Sequence, residues 1–282
     1  MITGMSGERR PAARAALLVL ADGRLPAGGH AHSGGVEAAV VDGGVTGLDD
    51  LAAFLLGRLG TTGLVAASFA AAACWTCRID TAAPAAEAPA AEILAAEVGE
   101  LAGAPDTPAA GQERAARLAA LDAELDARTP SPAQRDASRA QGRTLLRAGR
   151  AAWDLSRIFP PNAGGSATGA RQAPAPHHPI ALGVVAAAAG LEPADAALAA
   201  AYGAVGGPAS AATRLLGLDP LAVTGLQAKL ADAMEATAAE ATAAAEAAMA
   251  MGRPDLLPAP SAVRLDLLAE RHRAAPVRMF TS

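Results

Sequence analysis

Apolar residues recur along this chain every three or four positions, which is the spacing of one face of an α-helix. The stretch from Pro11 to Ala21 forms the first such run, with proline tolerated in its opening turn. A second helix is expected to carry Glu37, after a segment rich in glycine. A third begins near Asp49 and Asp50, whose charges suit a helix N-terminus, and runs towards Trp75. Possible kinks in it fall at Gly57, Gly60 and Gly63.

The rest of the chain repeats this pattern between interruptions. Helices are expected from Gln112, over residues 133–158 after a Thr-Pro-Ser-Pro break, over residues 181–190 after Pro179, and over residues 221–251. Another begins at Pro193, and Pro208 is expected to kink or split it. Residues 81–110 and 160–176, rich in alanine, proline or glycine, are predicted to be flexible insertions. Residues 1–282 are thus predicted to form a single all-α, helical-bundle-like domain of about ten helices.

Composition supports helices and narrows the function classes. Aromatic residues make up only 2% of the chain, so the side chains that strands prefer are scarce. Alanine dominates and buries little area, so the helices must pack closely along extended interfaces. The formal charge is -5 and the chain has no dense basic run, which argues against nucleic acid as a ligand.

No segment is expected to direct the chain into or across a membrane. The apolar run after the basic N-terminus is short and ends at Asp22 and Arg24, which argues against a signal peptide. No stretch reaches the roughly 18 uninterrupted apolar residues of a membrane span. Two cysteines are too few for the disulfide framework of a small secreted protein. The cytoplasm is therefore the expected compartment.

The glycine-rich segment, residues 28–35, does not have the make-up of a nucleotide-binding loop. A P-loop follows a strand and ends in Gly-Lys-Ser/Thr, whereas the only lysine, Lys229, lies far away in a predicted helix. Pairs of glycines instead allow positive φ and close approach of another backbone.

Two cysteines, Cys74 and Cys77, form a C-W-T-C motif. Their spacing is ordinary for a helix, so structural cysteines are the first interpretation. A redox dithiol and half of a zinc site are the alternatives. The redox alternative corresponds to an all-helical peroxidase of the alkylhydroperoxidase-like class, in which one cysteine is a low-pKa thiolate and the other resolves it.

Histidines supply only weak metal candidates. His30 and His32 form an H-x-H that could bind nickel through imidazole, or could serve a hydrogen-bonded structural role. His177 and His178 rank lower, because they end a predicted loop. No G-x-S-x-G motif occurs, so a serine hydrolase is not expected, and no catalytic residue is assigned.

Several separated segments, read together, resemble the UreF family of urease accessory proteins. Residues 17–40, LLVLADGRLPAGGHAHSGGVEAAV, are similar to its opening signature of a leucine-rich helix, a Leu-Pro turn, glycine pairs, serine and glutamate. The segments HPIALGVVAAAAGL and ASAATRLLGLDPLAVTGLQAKL resemble its late helices, and RHRAAPVRMFTS its closing segment. ELDARTPSPAQRDASRAQGRTLLRAG is a weaker match. The sequence departs at residues 216–219, where the family has Pro-Leu-Gly-Gln.

The resemblance implies a non-catalytic adaptor that dimerises, binds UreD (also called UreH), and thereby engages the GTPase UreG and apo-urease. Nickel and GTP then belong to the complex, and this chain holds no stable cofactor. Glu37 and Arg214 match residues linked to GTPase regulation, for which a solvated helix face is the alternative. Residues 272–282 correspond to a tail that orders on the UreD-type partner. The implied partner-binding residues are Gly28, Gly29, Ser33, Gly34, Gly35, Glu37, Arg214, Arg278, Met279, Phe280 and Ser282.

Overall fold

The computed structural model describes residues 11–79, 108–156, 158 and 174–282, and the fold is all-α, as predicted. The helices are α1 (Pro11–Ala21), α2 (Val36–Val41), α3 (Leu48–Arg58), α4 (Leu64–Ile79), α5 (Pro108–Ala127), α6 (Pro132–Ala152), α7 (His178–Ala188), α8 (Pro193–Leu216), α9 (Pro220–Lys229), α10 (Ala231–Ala250) and α11 (Val263–Ala274). A π-helical segment, Leu59–Gly63, joins α3 to α4 without a break. This irregularity lies where Gly60 and Gly63 had suggested a kink.

Helix α4 is the centre of the larger hydrophobic cluster, with α7, α8 and α10 packed around it. Residues 70–73 are alanines and all four are fully buried, so only methyl groups separate α4 from the neighbouring helices. At Gly183 of α7, an added Cβ would lie 2.3 Å from the carbonyl oxygen of Ala70. The backbones of α4 and α7 are therefore in direct contact, as an alanine-rich core requires.

A second hydrophobic cluster forms between α2, α3, α8 and α9. Val36, Leu51 and Leu55 are fully buried in it, and Phe280 from the end of the chain is 4% exposed. The candidate functional site lies on this cluster.

Several helices begin where the sequence predicts, because local signals mark their ends. Ser131 caps α6 by accepting a hydrogen bond from the Gln134 amide, and Pro193 opens α8 inside a capping box of Glu192 and Asp195. Gly190 follows the end of α7 and has a φ of 76°, the left-handed conformation that commonly terminates a helix.

Four boundary predictions are wrong. Helix α6 ends at Ala152 rather than residue 158, and α5 already begins at Pro108, inside the segment predicted to be flexible. The predicted helix over residues 221–251 is two helices that meet at Leu230. Helix α11 is absent from the prediction. The remainder of the two predicted insertions, apart from residues 174–176, lies outside the described residues.

Helix α8 continues through Pro208, so the predicted split is wrong. Proline has no N–H to donate to the carbonyl four residues earlier, which leaves the Ala204 oxygen without its usual helical partner. The Arg58 Nε atom donates a hydrogen bond to that oxygen at 3.2 Å. A side chain from α3 therefore satisfies the carbonyl that Pro208 releases.

Within the described residues, the stretch 48–78 is the one helix whose length and composition would allow it to cross a membrane. Glycines and Arg58 interrupt this stretch, so it contains no unbroken apolar run of the length expected for a membrane span. Its second half is α4, which other helices enclose. A buried core helix passes the same length and composition test, so the expectation of no membrane span stays a prediction.

Candidate functional site

The glycine-rich segment enters α2 through a backbone that only glycine adopts easily. Gly28, Gly34 and Gly35 have φ values of 79°, 61° and 90°. A Cβ on Gly34 would lie 2.8 Å from the Pro208 ring, so this turn also presses directly against α8. The segment is thus positioned by both its left-handed backbone and the proline of the facing helix.

Ser33 links the start of α2 to the last described residue. It is fully buried, and its main-chain N–H and its hydroxyl both donate to the main-chain oxygen of Ser282, at 2.6 and 2.8 Å. The same hydroxyl accepts from the N–H groups of Gly35 at 3.3 Å and Glu37 at 3.4 Å, in the first turn of α2. Thr281 adds a hydrogen bond from its N–H to the carbonyl of Ala31, at 2.8 Å.

Glu37 holds the tail with its carboxylate. Oε1 accepts from the Met279 N–H at 2.6 Å, and Oε2 accepts from the Phe280 N–H at 3.0 Å and lies 2.8 Å from His272 Nε2. Burial by itself raises the pKa of Glu37, but these hydrogen bonds and His272 hold it below its ordinary value. Because Glu37 is only 5% exposed, the solvated-face interpretation is wrong for it.

The Phe280 side chain packs against α8. Its ring is buried in the second hydrophobic cluster, and the Arg214 guanidinium carbon lies 4.6 Å from the ring centroid. Arg214 is itself exposed, and so are Arg278 and Met279. The site therefore presents two arginines and a methionine to solvent above a buried anchor.

We call this group of residues the tail cluster; it comprises Ser33, Gly34, Glu37, Arg214, His272, Met279, Phe280 and Ser282. It brings together residues of three distant segments that the sequence had assigned to partner binding. Gly28, Gly29 and Arg278 are more peripheral. Gly28 packs against Thr144 of α6, Gly29 is exposed, and Arg278 donates to the Arg273 carbonyl at 3.5 Å.

His30 and His32 do not complete a metal site in the part of the chain that the structure describes, where no group of three or more histidine, cysteine or acidic side chains could hold an ion. His30 is exposed, while His32 Nδ1 lies 2.6 Å from Ser282 Oγ. Burial, followed by His30, lowers the pKa of His32. The pair therefore remains a weak nickel candidate.

Cys74 and Cys77 are both fully buried in the larger cluster. The Cys74 thiol lies 3.5 Å from the Leu191 carbonyl, and burial raises its pKa far above that of a free thiol. A peroxidatic cysteine needs an accessible thiol with a lowered pKa. This geometry favours structural cysteines and gives the peroxidase alternative no support.

Sequence reasoning missed two polar contacts. The sequence identifies His272 only as part of the tail, whereas the structure places its Nε2 atom 2.8 Å from Glu37 Oε2. His177, placed at a loop end, is buried, with Nε2 3.0 Å from Asp126 Oδ1, while Arg139 ties Asp126 to Asp122. No local signal marks either partnership, because each joins residues far apart in the chain.

Comparisons with known proteins agree on one family. A family model described as UreF matches residues 45–231. Proteins named urease accessory protein UreF are similar along nearly their whole length. The one from Mycobacterium sp. (strain JLS) is 41% identical, covering 94% of this chain and 97% of that protein. The one from Mycobacterium marinum is 41% identical over 95% and 98% of the two chains, and the one from Mycobacterium tuberculosis (strain H37Rv) is 39% identical over the same shares.

Proposed function

Because the chain belongs to the UreF family of urease accessory proteins, we propose that it is a non-catalytic adaptor for the maturation of urease. With a UreD (UreH) partner and the GTPase UreG it enables nickel insertion into apo-urease and regulates the GTPase. It works as a homodimer in the cytoplasm, and nickel is handled by the complex. No cofactor is held by this chain alone.

The observation that supports this proposal most is the tail cluster. Family resemblance had assigned roles to Glu37, to Arg214 and to the tail separately, and the three meet at one place on the surface. An interface centre typically combines an arginine, an apolar anchor and satisfied polar groups. Arg214 and Met279 are exposed at such a position, with Phe280 and Glu37 beneath them.

The function is tested by co-purification of a tagged chain with co-expressed UreD and UreG. Met279→Ala is expected to weaken capture of UreD, because Met279 is 60% exposed and offers its side chain directly to a partner. Met251→Ala is the matched control, since Met251 is 59% exposed but lies on α10's end, away from the cluster. A chain truncated after Pro276, which lacks residues 277–282 of the tail, is expected to lose the complex.

Failure of the full-length, folded chain to capture either partner would contradict the adaptor function. Equal weakening by both methionine variants would show that capture does not depend on the tail cluster. The circular dichroism of the truncated chain is compared with that of the full chain, because truncation also removes the buried Phe280 ring.

A further inference from the structure

Arg58 lies beside the tail cluster, where its guanidinium carbon would be 3.4 Å from a Cβ added at Gly34. Its Nε satisfies the Ala204 carbonyl, as described above. A guanidinium has four further N–H groups, and no carboxylate in the described part of the chain lies within ion-pair distance of them. Desolvation lowers the pKa of Arg58 to about 10, and no neighbouring acid opposes it.

The guanidinium borders a cleft of about 430 Å³ between α3, α6, α11 and the tail. The hydroxyl of Thr62, one turn further along, lines the same cleft and is buried with no hydrogen-bond partner among the described residues. His178 lines it too, and burial followed by His32 lowers its pKa to about 4, so that its ring is neutral at pH 7. Arg58, beyond its Nε bond to Ala204, and the Thr62 hydroxyl thus offer donors at the same cleft.

Acidic groups also line the cleft, but each has a partner. Asp136 lies 3.6 Å from Arg273, and Asp266 accepts from the Gln134 amide at 3.1 Å. Burial, followed by Glu270, raises the pKa of Asp266, which weakens its negative charge near neutral pH. Glu37 is occupied by the tail. The Arg58 end of the cleft is therefore positive.

We propose that this cleft binds a small free oxoanion of the phosphate or carbonate class, held by the Arg58 guanidinium with the Thr62 hydroxyl as a second donor. The planar fork of arginine matches two oxygens of such an anion, and a partly desolvated cation gains more from an anion than a hydrated one does. Arg58 and Thr62 are not among the residues assigned to partner binding, although the cleft also borders Gly34, Arg278 and Ser282 of that set.

The experiment measures thermal unfolding of the full chain against increasing inorganic phosphate or bicarbonate, with chloride at matched ionic strength as the reference. A ligand that binds only the folded state raises the unfolding temperature in a saturable way. We expect this rise for the unmodified chain and for Arg147→Gln, which removes an exposed helical arginine that does not line the cleft. Arg58→Gln should abolish the rise.

Arg58→Gln also removes the donor to Ala204 and could prevent folding, so Arg58→Lys is measured beside it. Lysine keeps the charge but cannot form the bidentate contact, so its affinity for the oxoanion should be at least fivefold weaker. The proposal is overturned if the unmodified chain shows no saturable rise. It is equally overturned if Arg58→Lys and the unmodified chain have the same affinity, because the anion then binds elsewhere.

Discussion

At the scale of single residues, the Glu37 carboxylate makes more of the tail's polar contacts than any other side chain of the cluster. Glu37→Gln places an amide N–H₂ group where one oxygen now accepts from the tail, so a donor would face a donor. We expect a loss of about 1–3 kcal/mol in the free energy of unfolding. Urea denaturation measures it, with Glu235→Gln at an exposed position of α10 as the control that should change little.

The same carboxylate predicts a dependence on pH. The pKa of Glu37 in the folded chain lies below its ordinary value of 4.5, so its stabilising effect is complete above pH 4.5 and is lost as the pH falls through the folded value. Hydrogen exchange of the Met279 and Phe280 amides should accelerate over that acidic range relative to a core helix. In Glu37→Gln the acid-dependent part of this acceleration should be missing, and its persistence there would assign it to another group.

Buried cysteines predict a negative result for redox chemistry. Cys74→Ala with Cys77→Ala removes both thiols without burying new hydroxyl groups, and we expect unchanged capture of UreD and UreG at a small cost in melting temperature. Peroxide consumption by the unmodified chain should not exceed that of the double variant. A thiol-dependent peroxidase activity in the unmodified chain would contradict the structural role.

At the scale of helices, the close contact of α4 and α7 predicts opposite effects for two glycine substitutions. Gly183→Ala should destabilise the fold by about 1–3 kcal/mol, because its Cβ would collide with the Ala70 carbonyl. Gly203→Ala on α8 meets nothing within 4 Å and should stabilise by about 0.5–1 kcal/mol. Melting temperatures of the two variants report the difference, and equal shifts would mean that the helices separate readily.

The helices that the sequence predicted correctly are those with local signals at their ends. Proline in the first turn, serine and acidic caps, and glycine after the last turn act within a few residues, so they can be read without the fold. The break at Leu230 has no such signal, since neither glycine nor proline marks it. The continuity of α8 through Pro208 depends on Arg58, which is distant in sequence.

The candidate site also depends on contacts between residues that are distant in sequence, which local signals do not reveal. The resemblance identified most members of the tail cluster, but the hydrogen bonds from Ser33 and Glu37 to the tail join residues 235–249 positions apart. Only folding brings these together, so neither spacing nor composition could assign Glu37 to His272. The oxoanion cleft has the same origin, because Arg58 and His178 share no local pattern.

At the scale of the whole molecule, two long elements connect the hydrophobic clusters. The helical stretch from α3 to α4 contributes Leu55 to one cluster and Phe69 to the other, and α8 contributes to both along its length. Packed helices rather than a linker therefore connect the cluster that holds the tail to the larger core. The prediction that residues 1–282 form one domain stays a prediction.

The tail cluster joins parts of the chain that are made at different times. Met279 follows Glu37 by 242 residues, and at about 5–20 residues per second a ribosome needs roughly ten seconds or more to synthesise that interval. Until then Glu37 has no amide donors from residues 279 and 280, and its carboxylate stays hydrated. The surface around Arg214 and Phe280 consequently forms only after residue 280 has been made, and a partner that binds it would distinguish chains synthesised past that residue from shorter ones.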